Sequence, residues 1–555
     1  MPKYKTTDAV DFVIVGSGSA GGVVARELST RGFKIVVLEQ GPWYTEQNAT
    51  HDEISIQQEN FLTNKYDIQP NTYRKTAQDK AIVRPSIQYG RLVGGGSTHF
   101  TANFWRFHPI DFKERSKVGA IAGSNFADWP ISYEDLEPYY TKVEWDVGVS
   151  GQAGVNPFDP PRSKGYPMPP LPIKSVGVLL ERGAKKMGWH ASPAPMAIVS
   201  RPYKGRTPCV ACGQCMGFLC EIGAKSSTMA TMIPEAIKTG KCELRPESYV
   251  RKIETDASGR VTGVIYFDKN KKEVKQLAKA VIVCANGAET PRLLLMSKSN
   301  RFPNGLANSS GWVGTNLMFN GGSGAIGQFE HEVNGYKGVE VSRIVHDTYE
   351  LDAAKVGFYG GGGFDFRFAN TPMGFAFGGL APGAPRWGSA YKQQLGQWFN
   401  RTVLAFGHTT SLPVPTNTIT LDDTVKDAWG LPALRMTYRE HANDMKCYQW
   451  FGGKAVELLN AAGAVKSWDA FGVSEESAYP QPHLLGTCRM GDDPSTSVVN
   501  KFHRAHDVPN LFLVDGSSFV TGGRGQPTMT IMALAFRAGE EIAKMAKAGG
   551  LNARG

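Results

Sequence analysis

The chain has 555 residues, of which 41% are hydrophobic and 20% charged, and a formal net charge of +10. Its length predicts two domains, and its composition is that of a soluble globular protein. No run of about 18 apolar residues is present, which excludes a membrane-spanning helix, and the basic residues are scattered without a block of five or more, which argues against nucleic-acid binding. The opening MPKYKTTDAV has no apolar core, so no signal peptide of its own is expected.

Residues 11–42 read DFVIVGSGSAGGVVARELSTRGFKIVVLEQGP. The apolar run 12–15 predicts a buried parallel strand, followed by Gly16, Gly18 and Gly21 in G-x-G-x-x-G spacing. In such a unit Gly16 permits the tight turn, Gly18 lets a pyrophosphate approach the backbone, and Gly21 allows close helix–strand packing. An amphipathic helical segment from about Ala20 to Thr30, just after Ser19, offers unpaired N–H groups and a positive dipole end to phosphates. A second strand, 35–38, ends on Glu39 and Gln40, where a carboxylate accepts hydrogen bonds from a ribose diol. A lone glycine motif is weak evidence, but strand, glycines, helix, strand and acid in order predict a dinucleotide site. FAD is expected rather than NAD, because the unit opens a long chain.

Residues 43–90 are polar and aperiodic and are expected to wrap the first domain. Gly94, Gly95 and Gly96, followed by Ser97, Thr98 and His99, let the backbone lie against a flat or anionic ligand. Residues 128–151 predict a turn and an amphipathic helix, and the proline-rich 152–207 predicts an extended surface excursion. Four of the eight cysteines come next, Cys209, Cys212, Cys215 and Cys220, spaced C-x2-C-x2-C-x4-C. Such clustering argues for metal before disulfides. It approaches the ferredoxin pattern C-x2-C-x2-C-x3-C-P, with one extra residue before the last cysteine and Glu221 in place of proline. Four thiolates would equally satisfy a structural zinc, and disulfides are a third reading.

A helix is expected at 227–239, short strands at 244–254, 261–267 and 274–283, and a strand, glycine turn and helix over 280–297. Residues 321–480, rich in glycine and aromatics with alternating runs such as TNTITL, predict an antiparallel sheet that forms a second domain. The last segment carries His483, a strand ending on Asp515, and a helix from Pro527 to about Lys547.

Several of these segments resemble the glucose–methanol–choline (GMC) oxidoreductase family. Residues 89–112 resemble its first signature, and 280–297 (AVIVCANGAETPRLLLMS) its second, G-A-x-x-T-P-x-L-L-L-x-S. Residues 311–320 match V-G-x-N-L. Residues 482–487, 498–500, 510–517 and the terminal helix match, in order, H-x-x-G-T, S-V-V-D, N-L-x-V-x-D-x-S and N-P-x-x-T-I-x-A-L-A. The resemblance implies an α/β fold with a Rossmann-type FAD-binding domain (1–45, 85–125, 225–320 and 481–555). Interleaved with it would be an antiparallel-sheet α+β substrate domain (46–84, 126–206 and 321–480), with the cysteine-rich loop at 207–224. It places Gly94, Gly95, Ser97, His99, Thr101 and Ala285 around the flavin nucleotide and Val250 at the adenine. Asp515 falls at the ribityl or phosphate end, and Pro527 and Thr528 at the flavin ring. The run 97–101, STHFT, looks like the pyranose oxidase version, in which the matching histidine can bond covalently to the flavin. His99 is expected either to do so or to pack beside a non-covalent flavin.

An alcohol must lose its O–H proton as hydride leaves for flavin N5, and imidazole suits that task. The resemblance makes His483 the base. Where the family has a second His or Asn, this chain has Gln526, which can hydrogen-bond a substrate oxygen but cannot share a proton, so orientation is its expected role. The cysteine loop is similar to that of the iron–sulfur catalytic subunits of bacterial glucose, fructose and gluconate dehydrogenases. That implies a [3Fe-4S] cluster, with Cys215 and Cys220 matching best and the choice between Cys209 and Cys212 open. The activity implied is oxidation of a sugar or glycoside hydroxyl, with electrons leaving through the cluster to a multihaem cytochrome c. A small export subunit would carry the chain to the periplasm. The alternatives are a pyranose or glycoside oxidase using O2, whose cysteine loop binds zinc or is merely structural, and a cytoplasmic enzyme with another acceptor.

Overall fold

The N-terminal apolar run forms strand Val10–Val15, buried on both sides, and it becomes the middle of a seven-stranded sheet. A strand covered on both faces must be apolar throughout, which is why VDFVIV carries almost no polar residue. The computed structural model describes residues 2–57, 59–368, 371–475 and 482–551. Across the sheet the order is Cys242–Arg245, Ile35–Leu38, Val10–Val15, Glu273–Val283, Val261–Phe267 and Tyr249–Thr255, with Leu511–Leu513 also paired to Glu273–Val283. The 11-residue strand Glu273–Val283 does two jobs. Its end pairs in parallel with Val10–Val15 and Leu511–Leu513, while its start pairs antiparallel with Val261–Phe267.

Helix Ser19–Ser29 packs on the terminal helix Pro527–Lys547, which packs in turn on Tyr133–Val143. Close approach within this layer depends on glycine. A Cβ at Gly21 would be driven into the Gly16 carbonyl oxygen and would stand 2.9 Å from its carbonyl carbon.

The second domain is built on a six-stranded sheet, the cap sheet, ordered Lys466–Asp469, Gly322–Gln328, Thr402–His408, Gly363–Arg367, Arg343–Val345 and Ala191–Pro193. All its pairings are antiparallel. Helices Ala442–Ala462 and Ser175–Met187 cover one face, burying Val176, Leu180, Phe364, Phe451 and Leu458 in a separate core. A four-stranded sheet joins Thr418–Lys426, Pro432–Thr437, Asn71–Arg74 and Ile82–Val83.

Three expectations need correction. Residues 43–90 do more than wrap, because Asn71–Arg74 pairs in parallel with Pro432–Thr437. The excursion 152–207 contains an amphipathic helix, Ser175–Met187, and a strand, Ala191–Pro193, stitched into the cap sheet. The helix expected at 227–239 is confined to Met232–Lys238, since Ser227 and Thr228 spend their hydroxyls on loop backbone.

Replacing Gly21 by Ala should overpack the helix–strand contact by about 1–3 kcal/mol. The expected result is a lower melting temperature and poor flavin retention, read by thermal melts and the flavin-to-protein absorbance ratio.

Candidate active site

Val10–Val15, Ile35–Leu38, Glu273–Val283 and Leu511–Leu513 run parallel and stop at one place. The residues that follow them, Gly16, Glu39, Ala285 and Asp515, line a cavity of about 520 Å³. Carboxyl ends of parallel strands are where open α/β sheets take their ligands.

At this edge Glu39 Oε2 accepts hydrogen bonds from the Ser17 N–H (3.0 Å) and hydroxyl (2.7 Å), and Oε1 accepts from the Gly41 N–H (2.9 Å). Burial pushes this carboxyl above its ordinary range. The protein thus uses three of about four lone-pair positions, leaving limited capacity for the ribose hydroxyl expected there. The Ser17 oxygen also accepts from the Gly94 N–H at 3.1 Å, which ties the first glycine turn to the second. Gly95, in the left-handed region at φ +52°, comes so close that a Cβ would stand 2.9 Å from Gly18 Cα. Thr228 completes the cradle, donating from its hydroxyl to the Ser17 carbonyl and from its N–H to the Ser97 hydroxyl, both at 3.1 Å. Asp515 also lines the cavity, but its carboxylate is engaged by Thr290 Oγ1 (2.6 Å) and the N–H groups of Asn286 and Ser517. It shapes the turn more than it reaches for a ligand.

His99 lines the same wall, its buried Nε2 without a hydrogen-bond partner. Burial, with the Lys225 ammonium nearby, lowers its pKa to about 4, so the ring is neutral. Its carbonyl accepts the Gly217 N–H at 2.7 Å, and Met216 and Gly217 line the cavity too. The cysteine loop therefore forms part of the wall. Lys225, only 2% exposed, donates to the carbonyls of Cys215 (2.6 Å), Phe218 (2.8 Å) and Phe100 (3.2 Å), joining that loop to the segment after His99.

All four clustered cysteines are free and line one small cavity of about 20 Å³ with Lys225, so the disulfide reading does not hold among the described residues. Backbone N–H groups of Ala211 and Lys225 point to Cys209 Sγ and Cys220 Sγ at 3.4 Å. Among the described residues, however, no three His, Cys, Asp or Glu side chains close on a point that could hold a metal. Cys212 faces solvent while Cys215 is buried, and the Gly338 N–H holds the Ala211 carbonyl outward at 3.1 Å. The predicted ligand set is thus gathered on one wall without being closed around a centre. Its donor chemistry, four thiols with N–H groups aimed at sulfur, suits a thiophilic metal. Burial pushes the Cys215 thiol up to about 12, so binding metal there must displace a proton.

His483 and Gln526 line the same cavity. Burial, reinforced by neighbouring His408, lowers His483 to about 4. Arg524, two residues before Gln526, anchors that loop through ion pairs to Asp111 (2.7 Å) and Glu114 (2.9 Å). Two acids around one guanidinium leave Glu114, by burial and despite Arg524, raised to about 7. Every predicted cofactor and catalytic residue lines the cavity except Gly21 and Gly94, which stand behind its wall. Sequence reasoning missed Ser17, Lys225, Arg367 and His408. Only Asp365 and Arg367, two polar residues on one face of an otherwise apolar strand GFDFR, left a local signal.

A glycine-lined cavity at the carboxyl ends of parallel strands, with neutral imidazoles lining it, is the site of a flavin-dependent oxidoreductase of CH–OH groups. Models described as GMC oxidoreductase match residues 10–320 and 413–535, and the chain belongs to the GMC oxidoreductase family. It is 37% identical to a 2-methyl-1,2-propanediol dehydrogenase of Mycolicibacterium austroafricanum, over 97% of this chain and 96% of that protein. It is 30% identical to the fructose dehydrogenase large subunit of Gluconobacter japonicus, over 98% of this chain and 99% of that one. In three dimensions it resembles a formate oxidase of Aspergillus oryzae, with TM-score 0.66 at 16% identity over 99% of this chain and all of that one, a likeness of fold.

His99, His346 and His483 are held neutral, at about 4, 3 and 4 against an ordinary 6.5. Below pH 6.5 the unfolded chain takes up these protons first, so their contribution to stability is complete above that pH and is lost as pH falls toward 4. Thermal melts should show the midpoint declining across this interval. A flat midpoint down to pH 5 would contradict the buried neutral state.

Proposed function

We propose that the protein is an FAD-dependent dehydrogenase of polyhydroxylated alcohols, sugars or short diols, that hands its electrons through the cysteine loop to another protein. The observation that carries this reading is His483, a neutral imidazole on the wall of the same cavity as the glycine cradle. Lowered to about 4, it is unprotonated at neutral pH and can take a hydroxyl proton. When bound, FAD supplies the acceptor for the hydride leaving the same carbon. The first helix turn at Gly18 and Ser19 holds its phosphates, Val250 its adenine end, and Pro527 and Thr528 its ring end. The unpartnered Nε2 of His99 supports direct contact of that residue with the flavin ring, covalent or packed. Gln526 hydrogen-bonds the substrate oxygen. Relatives named for a diol and for fructose support a hydroxyl with an oxygen-bearing neighbour as the position oxidised. Turnover of a panel of diols, aldoses, ketoses and glycosides with an artificial acceptor identifies the substrate.

His483→Ala should retain flavin and reduce the rate of flavin reduction by about 10²–10⁴-fold. In the unaltered enzyme that rate should be level near neutrality and fall as pH approaches about 4, where His483 gains its proton. Stopped-flow absorbance measures both. A His483→Ala enzyme at full rate would place the base elsewhere.

Four free thiols on one wall, joined to the flavin-facing segment by Gly217 and Lys225, support an iron–sulfur cluster ligated from Cys209, Cys212, Cys215 and Cys220. Such a cluster would carry electrons singly. The acceptor in this reading is a multihaem cytochrome c at the periplasmic face, reached with a small export subunit. It is supported by the relative named as a large subunit, by the lack of any C-x-x-C-H haem motif in the sequence, and by the lack of a membrane-length apolar helix among the described residues. Cys215→Ser and Cys220→Ser should lose iron and stop electron delivery to cytochrome c, while substrate still bleaches the flavin. Delivery at the unaltered rate would rule the loop out as the relay.

A further inference from the structure

The cap sheet presents a third imidazole to the cavity, beside His99 and His483, and the chemistry above gives it no role. Register pairs Gly363 with His408 and Asp365 with Phe406, so Asp365, Arg367, Phe406 and His408 share one face of the sheet. Of these, Arg367, Phe406 and His408 line the cavity. Phe364 takes the other face and stacks on Phe451 at 5.0 Å. His408 is itself only 3% exposed, with Trp105 edge-on at 4.9 Å.

Its two ring nitrogens are both engaged. Nδ1 lies 3.1 Å from Gln526 Nε2, and Nε2 lies 2.7 Å from Asp365 Oδ2, with Arg367 Nη2 a longer 3.3 Å away, so the carboxylate is its nearer partner. An amide nitrogen only donates, so Nδ1 is the acceptor, and the ring proton sits on Nε2 and is donated to Asp365. Asp365 is fixed in turn. Arg367 holds it in a two-point ion pair (Nε to Oδ1 2.7 Å, Nη2 to Oδ2 2.6 Å), and Asn103 donates to Oδ2 at 3.1 Å. Burial outweighs the pull of Asp365 and keeps His408 neutral.

We propose that Asp365 and His408 are positioning residues that act through Gln526, the acceptor at Nδ1 taking one amide N–H and leaving the other aimed at the reacting oxygen. As the substrate hydroxyl proton passes to His483, negative charge grows on that oxygen, and a donor already in place stabilises it without reorganisation. Without the Nδ1 acceptor, the long glutamine side chain has several orientations. One of them turns its carbonyl oxygen toward the growing charge. A charged His408 would select that inverted orientation, because its Nδ1–H would demand the carbonyl. The Asp365 link therefore serves by fixing the tautomer as well as the ring.

This inference rests on His483 as the base, and the experiment separates the two. Flavin-loaded His408→Phe, His408→Asn, Gln526→Leu and the Phe–Leu double variant are compared by stopped-flow flavin reduction, using the most active polyol of the panel. His408→Phe should slow reduction by about 10²-fold, with substrate affinity changed much less. His408→Asn, whose Oδ1 replaces Nδ1 as acceptor, should stay within about 10-fold of the unaltered enzyme. In the Gln526→Leu background His408→Phe should cost no more than about 2-fold, because the path through Gln526 is already gone. An unaltered rate in His408→Phe, or the full loss persisting in the Gln526→Leu background, would overturn the proposal. If His408→Phe loses flavin, the Asn variant and its double with Leu carry the same comparison. Loss of rate in His483→Ala with none in His408→Phe would sink only this inference, whereas a His483→Ala enzyme at full rate would remove the base reading beneath it.

Discussion

The bond from the Ser17 hydroxyl to Glu39 is the constraint on which the nucleotide edge depends. Ser17 follows the first strand, Glu39 ends the second, and Gly94 reaches the same hydroxyl from 77 residues away. Removing the carboxylate would leave the Ser17 and Gly41 donors buried and unpaired, at about 1–3 kcal/mol each. The shape of the glycine turn is therefore set as much by this acid as by the glycines. The same acid has only a small remaining acceptor capacity, so its first action is on the protein.

The loop that carries Gln526 is held by buried charge. Arg524, 2% exposed, is enclosed by Asp111, Glu114 and the Tyr359 hydroxyl, while Asp111 also accepts from Tyr349 at 2.7 Å. Buried ion pairs add little net stability, but breaking one strands a charge at a cost of about 3–5 kcal/mol. Their consequence is geometric: the turn that delivers Gln526 has one position. The cap-sheet pair Asp365–Arg367 does the same for His408, so two separate clusters of buried charge meet across the Gln526–His408 hydrogen bond.

The cysteine loop is linked to the flavin side through its backbone carbonyls and N–H groups, by one backbone bond and one lysine side chain. Gly217 N–H bonds the His99 carbonyl, and one buried ammonium, Lys225, spans carbonyls of both segments. Anything held by the thiols would lie one loop away from the cavity wall. The positive charge of Lys225 also favours thiolate there, against the burial that holds the Cys215 proton on.

The first strand–helix–strand unit was readable from sequence because its meaning is local. Spacing of Gly16, Gly18 and Gly21 is a statement about backbone angles and close approach within a few residues, and Pro527 marks its helix start because its fixed φ suits the first turn. Helix Ser175–Met187 was masked by the prolines around it, and Ala442–Ala462, interrupted by Gly452 and Gly453, was absorbed into a stretch read as sheet. Ser17 occupies a position that the glycine spacing leaves open to any residue. His408 and Asp365 lie 43 residues apart, and the four cysteines were legible as a cluster but not in how they face. The sequence by itself determined the family, the nucleotide turn and the candidate base, since each is carried by contiguous residues. Only the tertiary structure decided which polar groups meet His483 and Gln526, because strand register, not local spacing, brings Asp365 and His408 to one face.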